Sequence, residues 1–332
     1  MKSNDFTVEG GWGSTLTQDT KITPKLVEHM IKVYHDFIDK FNLFLKSSKV
    51  PLVKAGRPVG STSYYEKDLI TDPEHEYGDI DVQFIIPRIH SMSEAANEAM
   101  YSKLVLEFLS HSNTASSKNG VNIIFQVGTE HVQIDLVSIF GENLAWSEIL
   151  SPERGIKGVV SMSLYSSLAE VLNLSISSRG IQIKLRNGEP VSFRQSKDVT
   201  VSTVSKDPYN WAKNILDYFG ELQGKKAKPS KSLRAHPGGD PDDIKISDIA
   251  VAIKALGESF QLNDMYSKTG LANIASYDEF MSKIIGTYEA KLTSKLTDPK
   301  FDKATTPAQI AKAASDRKKI QTGLNLVMGY LK

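Results

Sequence analysis

The feature that most constrains this chain is a set of three aspartates inside stretches that otherwise have the composition of buried β-strands. Asp79 and Asp81 stand at the start of the apolar run Ile80–Ile86, and Asp135 lies within the run Val132–Ile139. Successive side chains of a strand point to opposite faces, so Asp79 and Asp81 share one side. A buried carboxylate without a partner is costly. If the two strands are neighbours, three like charges converge and require a cation.

The elements around the aspartates predict a compact mixed α/β unit. Thr23 and Pro24 begin an amphipathic helix that runs to about Lys46. The other predicted elements are a short strand Val50–Ala55 ended by the breaker Gly56-Arg57-Pro58, the strand Ile80–Ile86, a helix opened by a capping box of Ser91 and Glu94, and the strands Val121–Val127 and His131–Phe140 joined by Gly128-Thr129-Glu130.

The pattern changes after Gly141, where helical periodicity dominates. Asn187-Gly188 is a strong turn signal and predicts a β-hairpin. We therefore divide the chain into an irregular N-terminal arm (1–22), an α/β core (23–141), a middle region with helices and a β-hairpin (142–223), a basic linker or loop (224–243) and a helical C-terminal domain (244–332).

A glycine-bearing turn adds a second chemical signal. Gly60-Ser61 follows the first predicted strand and precedes the acidic one, and such a turn can present backbone N–H groups to phosphate. A cluster of aspartates offers only oxygen ligands, which suit Mg²⁺ or Mn²⁺. Together these parts predict metal-assisted phosphoryl transfer, in which two ions stabilise the attacking and leaving oxygens.

The ordered set Gly60-Ser61, Asp79-x-Asp81 and Asp135 resembles the DNA polymerase β-type nucleotidyltransferase superfamily, including its RNA-terminal (CCA-adding-like) and oligonucleotide-synthase-like members. The resemblance covers about Thr23 to Phe140, so that residues 23–141 would be the catalytic core, and the chain departs from the family in the long spacer between Ser61 and Asp79. It implies an α/β (α+β) fold, with a polymerase β-like mixed-sheet core followed by a mostly helical C-terminal region.

The resemblance also implies roles for these residues. Asp79 and Asp81 would bind two Mg²⁺ (or Mn²⁺) ions and the nucleoside triphosphate. Asp135 would help to bind the catalytic ion and would deprotonate the acceptor hydroxyl. Ser61 would contact the terminal phosphates. Whether the long spacer has a function of its own is left open.

Several basic residues are further candidates, each with a solvated surface position as the alternative. Lys54, Arg57 and Lys157 could contact phosphates. In the predicted hairpin region, alternation places Lys184, Arg186 and Arg194 on one face, where they could hold a nucleic-acid backbone.

These observations predict a nucleotidyltransferase that transfers a nucleoside monophosphate from a nucleoside triphosphate to a hydroxyl and releases pyrophosphate. The favoured acceptor and partner is an RNA 3′ end, of tRNA-like or poly(A)-type, because basic residues exceed acidic ones from Glu221 onward and because the Gly-Ser turn and the acidic strand resemble those of RNA-terminal family members. The alternatives are synthesis of a cyclic or linear oligonucleotide second messenger, nucleotidylation of a small molecule or protein, and a catalytically silent RNA-binding module. The preferred nucleotide, any template and the oligomeric state are left open.

The amino-acid composition limits the classes of site and of protein that this chain can represent. Cysteine is absent, which excludes disulfides, cysteine–zinc sites and a thiol nucleophile. No apolar run approaches the roughly 20 residues of a membrane helix, and the first ten residues lack the apolar core of a secretory signal. We therefore expect a soluble, cytoplasmic protein with no membrane partner, of cellular or viral origin.

Overall fold

The structure is a computed structural model that describes residues 21–77, 79–141, 146, 156, 158–177, 180–193, 195, 197–233, 244–266, 274–305 and 307–332. The chain forms two compact units, one within Lys2–Ser151 and the other within Pro152–Lys332. Among the helices in these ranges, none combines the length and apolar character needed to cross a membrane. The finer five-part division of the chain stays a prediction.

The first unit alternates helices with the strands of one sheet. Its elements are α1 (Pro24–Ser47), β1 (Lys54–Val59), a 3₁₀ turn (Gly60–Tyr64), α2 (Tyr65–Thr71), β2 (Ile80–Ile86), α3 (Glu94–Leu109), β3 (Ala115–Ser117), β4 (Asn122–Val127) and β5 (Glu130–Phe140).

The sheet has five strands in the order β1-β2-β5-β4-β3. The β2–β5 pair is parallel, and the other three pairs are antiparallel. The predicted mixed α/β fold with a mixed sheet is therefore confirmed, and the strands that carry the aspartates, β2 and β5, lie side by side.

The apolar residues of α1 and α3 pack against one face of this sheet. Val82 and Phe84 of β2 and Ile134 of β5 point into this core, where they are joined by Phe37 and Phe41 of α1. Burial of apolar surface is the main favourable term in folding, so this layer fixes which face of each strand looks inward. The residues that alternate with them lie on the opposite face.

Strand β1 lies further along the chain than its sequence predicts. The residues expected to break it, Gly56-Arg57-Pro58, belong to the strand, and the register with β2 shifts between Ala55 and Pro58. Because β1 is at the edge of the sheet, a proline that cannot donate a hydrogen bond is tolerated, especially beside an irregularity. Gly56 is needed there because a Cβ atom would meet the Gln83 side chain at 2.5 Å.

The helix starts follow capping rules, with one correction. Thr23 caps α1 as predicted, its side chain accepting a hydrogen bond from the Leu26 amide. The predicted capping box of Ser91 and Glu94 is wrong: Ser93 caps α3 and accepts from the Ala96 amide at 3.2 Å. A serine directly before the first helical residue can reach the free amides of the first turn.

The second unit combines a small sheet with long helices. Its elements are α4 (Gly158–Val171), β6 (Leu174–Ser177), β7 (Gly180–Arg186), β8 (Glu189–Val191), β9 (Thr200–Ser205), α5 (Trp211–Leu222), α6 (Ile246–Leu262), α7 (Tyr277–Leu296), a 3₁₀ turn (Pro299–Lys303) and α8 (Pro307–Leu331). The predicted hairpin is β7–β8, turned by Asn187 and Gly188, both with positive φ. Strands β6 and β9 also pair with β7 and make it part of a four-stranded sheet.

Candidate metal centre

The three aspartates converge at one end of the parallel strand pair. Asp79 directly precedes β2, Asp81 is its second residue, and Asp81 is paired in register with Asp135 of β5. Neighbouring residues of two paired strands point to the same face, and Asp79 joins them by alternation. As a result, each aspartate offers one oxygen within 4.8 Å of those of the other two.

The acidic cluster lies on the face of the sheet away from α1 and α3. The residues between and beside the aspartates, Ile80, Val82 and Ile134, are fully buried in the helix-covered core. The inward side of these strands is therefore used for packing, and the other side carries the three carboxylates.

Asp81 is the most perturbed member of the cluster. Its exposed fraction is 5%, and its Oδ1 atom is buried without a hydrogen-bond partner among the described residues. Burial raises the pKa of Asp81 well above its ordinary value, and the nearby charges of Asp79 and Asp135 raise it further. A buried carboxylate oxygen without a donor is a site that a cation can satisfy.

Asp135 is held by two side-chain amides. Asn122, its partner in the β4–β5 register, and Gln133, two residues earlier on the same face, both donate to Oδ1 at 2.6 Å. Burial raises the pKa of Asp135, while these two hydrogen bonds favour the ionised form and lower it. Because both amides use Oδ1, Oδ2 is the oxygen left for a ligand or a proton.

The predicted glycine turn lies against the acidic strand. Gly60 has φ of +61°, a conformation that favours glycine. A Cβ atom at this position would also lie well inside 3.0 Å of Asp81 Oδ2. Glycine is therefore required twice, by its backbone conformation and by the approach of the carboxylate. The turn that could present amides to phosphate is thus adjacent to the cluster.

The donor set fits a divalent cation. All three side chains are carboxylates, their oxygens are close enough to share an ion, and Asp81 Oδ1 has its hydrogen-bonding capacity unused within the described residues. Oxygen-only sets of this kind suit Mg²⁺ or Mn²⁺. Asp79, Asp81 and Asp135 could therefore hold metal, while the identity and number of ions stay predictions.

The other predicted phosphate ligands have different placements. Ser61 is half-buried in the turn beside Gly60. Arg57 is exposed in the irregular part of β1, and its backbone amide donates to Gln83 Oε1 at 3.2 Å. Lys54 is exposed at the other end of β1, about 17 Å along the strand from the residue before Gly60. Lys157 lies outside the described residues.

The predicted nucleic-acid face carries side chains that bind their own loop. Lys184 Nζ donates to the carbonyls of Phe193 and Gln195 at 2.7 and 2.8 Å and lies over the Phe193 ring. Arg186 donates to the Lys197 carbonyl at 2.9 Å. The third member, Arg194, lies outside the described residues. A nucleic-acid role for these residues stays a prediction.

Three residues near the cluster are absent from the sequence-based candidates: Thr62, Asn122 and Gln133. The alternation that unites Asp79 with Asp81 also places Gln133 on the face of Asp135. Asn122 lies opposite Asp135 only in the observed β4–β5 register, which differs by one residue from the register that the sequence suggests. Thr62, whose hydroxyl contacts the acidic strand, carries no signal beyond standing next to Ser61.

Comparisons with known proteins add little to this geometry. No family model matches the sequence, and no curated protein matches it. A crystal structure of a ternary gap complex of Leishmania infantum polymerase beta is 11% identical, with a TM-score of 0.31, and the match covers 68% of this chain and 71% of that one. A similarity this low decides neither fold nor function, so a functional assignment depends on the geometry of the site itself.

Proposed function

We propose that this chain is a metal-dependent nucleotidyltransferase that transfers a nucleoside monophosphate from a nucleoside triphosphate to a hydroxyl, with an RNA 3′ end as the favoured acceptor. The observation that carries the proposal is the meeting of Asp79, Asp81 and Asp135 beside the Gly60-Ser61 turn, with the Asp81 Oδ1 atom buried and without a partner in the described part of the chain. We place the activity in the cytoplasm, as a prediction.

The aspartates would hold the metal through carboxylate oxygens. Divalent ions bound there would neutralise charge on the triphosphate and make the acceptor hydroxyl easier to deprotonate. The chain would orient these groups: the β2–β5 register fixes the separation of Asp81 and Asp135, and the two amides on Oδ1 keep the Asp135 carboxylate from rotating.

In the proposed reaction the acceptor oxygen forms a bond to the α-phosphorus, and the bond from that phosphorus to the pyrophosphate oxygen breaks. Asp135 Oδ2 would accept the proton of the hydroxyl, which burial favours because it raises the pKa of this carboxyl. The amides of the turn and the Ser61 hydroxyl would contact the terminal phosphates, where negative charge accumulates on the leaving group.

The test uses each α-labelled nucleoside triphosphate with Mg²⁺ or Mn²⁺ and an RNA that ends in a 3′-hydroxyl. The matched control RNA ends in a 3′-phosphate. We expect the wild-type chain to extend only the first RNA and to release one pyrophosphate per addition. Asp135→Asn should abolish extension, whereas Asp39→Asn, on an exposed position of α1, should not. Full extension by Asp135→Asn, or no product from any triphosphate, contradicts the proposal.

A second candidate is oligonucleotide synthesis from nucleoside triphosphates alone. It is favoured by one observation: Lys184 and Arg186, which would hold an RNA backbone, already bind backbone carbonyls of the following loop. The same reactions without RNA test this candidate, and short cyclic or linear oligonucleotides in place of extended RNA would support it.

A further inference from the structure

We propose that the Thr62 hydroxyl is a positioning group that fixes the backbone of Asp81 relative to the Gly60–Tyr64 turn and so sets the geometry of the metal centre. The inference rests on the proposed function, because it assigns a role toward a metal that Asp81 would bind. Thr62 itself is not a catalytic residue, since the contacts described for its hydroxyl are to backbone groups.

The hydroxyl of Thr62 joins the turn to the acidic strand. It donates to the Val59 carbonyl at 2.8 Å and accepts from the Asp81 amide at 3.0 Å, and the Asp81 carbonyl lies 3.3 Å away. Thr62 is fully buried, so water does not compete for these bonds. One side chain thus links the end of β1 with the second residue of β2.

Asp81 needs this support more than Asp135 does. Two side-chain amides hold the Asp135 carboxylate, whereas Asp81 Oδ1 has no hydrogen-bond donor among the described residues, and its Oδ2 lies against Gly60. The direction of the Asp81 carboxylate is therefore set mainly by its backbone and by steric contact. A group that fixes this backbone fixes where the carboxylate points.

The same hydroxyl also sets the distance between two functional parts. The turn carries Gly60 and Ser61, which the proposed function assigns to phosphate, and β2 carries Asp81, which it assigns to metal. A ligand that bridges metal and phosphate requires a fixed separation between them. A loss of the hydroxyl should then loosen the centre even where the fold persists.

The test compares three variants of the full chain. Thr62→Val keeps the shape of the side chain and removes the hydroxyl, and Thr62→Ser keeps the hydroxyl. Ser63→Ala is the matched control, because the Ser63 hydroxyl in the same turn donates to the Gly60 carbonyl at 2.8 Å and has no described bond to the acidic strand. The readouts are Mn²⁺ affinity by electron paramagnetic resonance and hydrogen exchange of the Asp81 amide in metal-free protein.

We expect Thr62→Val to weaken Mn²⁺ binding about 10- to 100-fold, the usual effect of losing a group that orients a metal ligand. Exchange of the Asp81 amide should accelerate in the same variant. Thr62→Ser should restore both properties, and Ser63→Ala should leave both unchanged.

The outcomes separate this inference from the proposed function. Wild-type Mn²⁺ affinity in Thr62→Val overturns the role of Thr62 and leaves the proposed function standing, whereas a wild-type chain that binds no Mn²⁺ overturns both. If Thr62→Val does not fold, the wild-type chain and Thr62→Ser test the role of the Thr62 hydroxyl. Rapid exchange of the Asp81 amide in either, or loss of Mn²⁺ binding in Thr62→Ser, rejects the inference.

Discussion

Replacement of Asp81 by asparagine should stabilise the metal-free protein, although it removes a central group of the proposed site. The oxygens of the three aspartates lie within 4.8 Å of one another, so each ionised pair costs at least about 3.5 kcal/mol at an effective dielectric constant of about 20. Without metal, the raised pKa of Asp81 favours its protonated form, which relieves part of this cost in the wild-type chain. We therefore expect Asp81→Asn to gain about 1–3 kcal/mol at neutral pH, less than the full repulsion of two pairs.

The pH dependence has a definite sign. The pKa of Asp81 is raised in the folded chain, so the unfolded chain loses this proton first as the pH rises. Between the ordinary aspartate pKa and the raised one, the folded state binds more protons, and the free energy of unfolding falls with increasing pH. Asp81→Asn lacks this pH-dependent contribution. The difference between its free energy of unfolding and that of the wild type should therefore grow as the pH rises between the two pKa values.

The assay is thermal unfolding by calorimetry in EDTA and in Mg²⁺, with hydrogen exchange of the β2 peptide as a local readout. In EDTA the variant should melt roughly 3–10 °C above the wild type. Saturating Mg²⁺, at about 100 times its dissociation constant, should stabilise the wild type by about 2.7 kcal/mol and leave the variant unchanged. Asp39→Asn, an exposed carboxylate on α1, should behave as wild type in both.

Two results would refute this reasoning. If Asp81→Asn melts below the wild type in EDTA, repulsion among the three carboxylates does not destabilise the metal-free chain. If Mg²⁺ stabilises both chains equally, Asp81 is not a metal ligand.

Single contacts give the remaining predictions. Gly60→Ala should displace Asp81 and destabilise the chain by at least about 1–2 kcal/mol, which is the cost of a left-handed conformation for alanine. A urea denaturation midpoint equal to that of the wild type would contradict this prediction. Asn122→Ala should raise the pKa of Asp135 further, because one of the two amide donors to its carboxylate is lost. NMR titration of the Asp135 carboxyl should detect the shift, and an unchanged titration midpoint would refute the prediction. Lys184→Met should speed hydrogen exchange in the loop whose carbonyls it binds, and unaltered exchange there speaks against this anchoring role.

The sequence predicts the buried strands well and the edges poorly. The bounds predicted for β2, Ile80–Ile86, are those observed, because apolar residues recur at every second position and enter the helix-covered core: Ile80, Val82, Phe84 and Ile86. Strand β1 is displaced since its pairing depends on an edge position and a register shift, neither of which has an apolar signature. Strand β3 has only three residues, two serines among them, and gives no periodic signal.

The hairpin between β4 and β5 shows that a register shift of one residue changes which side chain lies opposite Asp135. The sequence suggests a three-residue connection that includes Glu130, and this register would place Ile123 opposite Asp135. The structure has a two-residue connection, with Val127 paired to Glu130, and places Asn122 there instead. Because side chains alternate, this slip exchanges an apolar neighbour for an amide donor.

The two strands of the cluster therefore hold their carboxylates in different ways. Asp135 is oriented by amides that the sequence places 2 and 13 residues away, and Asp81 by its own backbone amide, which donates to the Thr62 hydroxyl 19 positions earlier. An acidic motif identifies the charges because burying them is costly wherever they occur. The groups that orient them are ordinary polar residues, which acquire their role only through register and turn geometry. Substitution at Thr62 or Asn122 should consequently alter how the centre binds metal while all three charges remain.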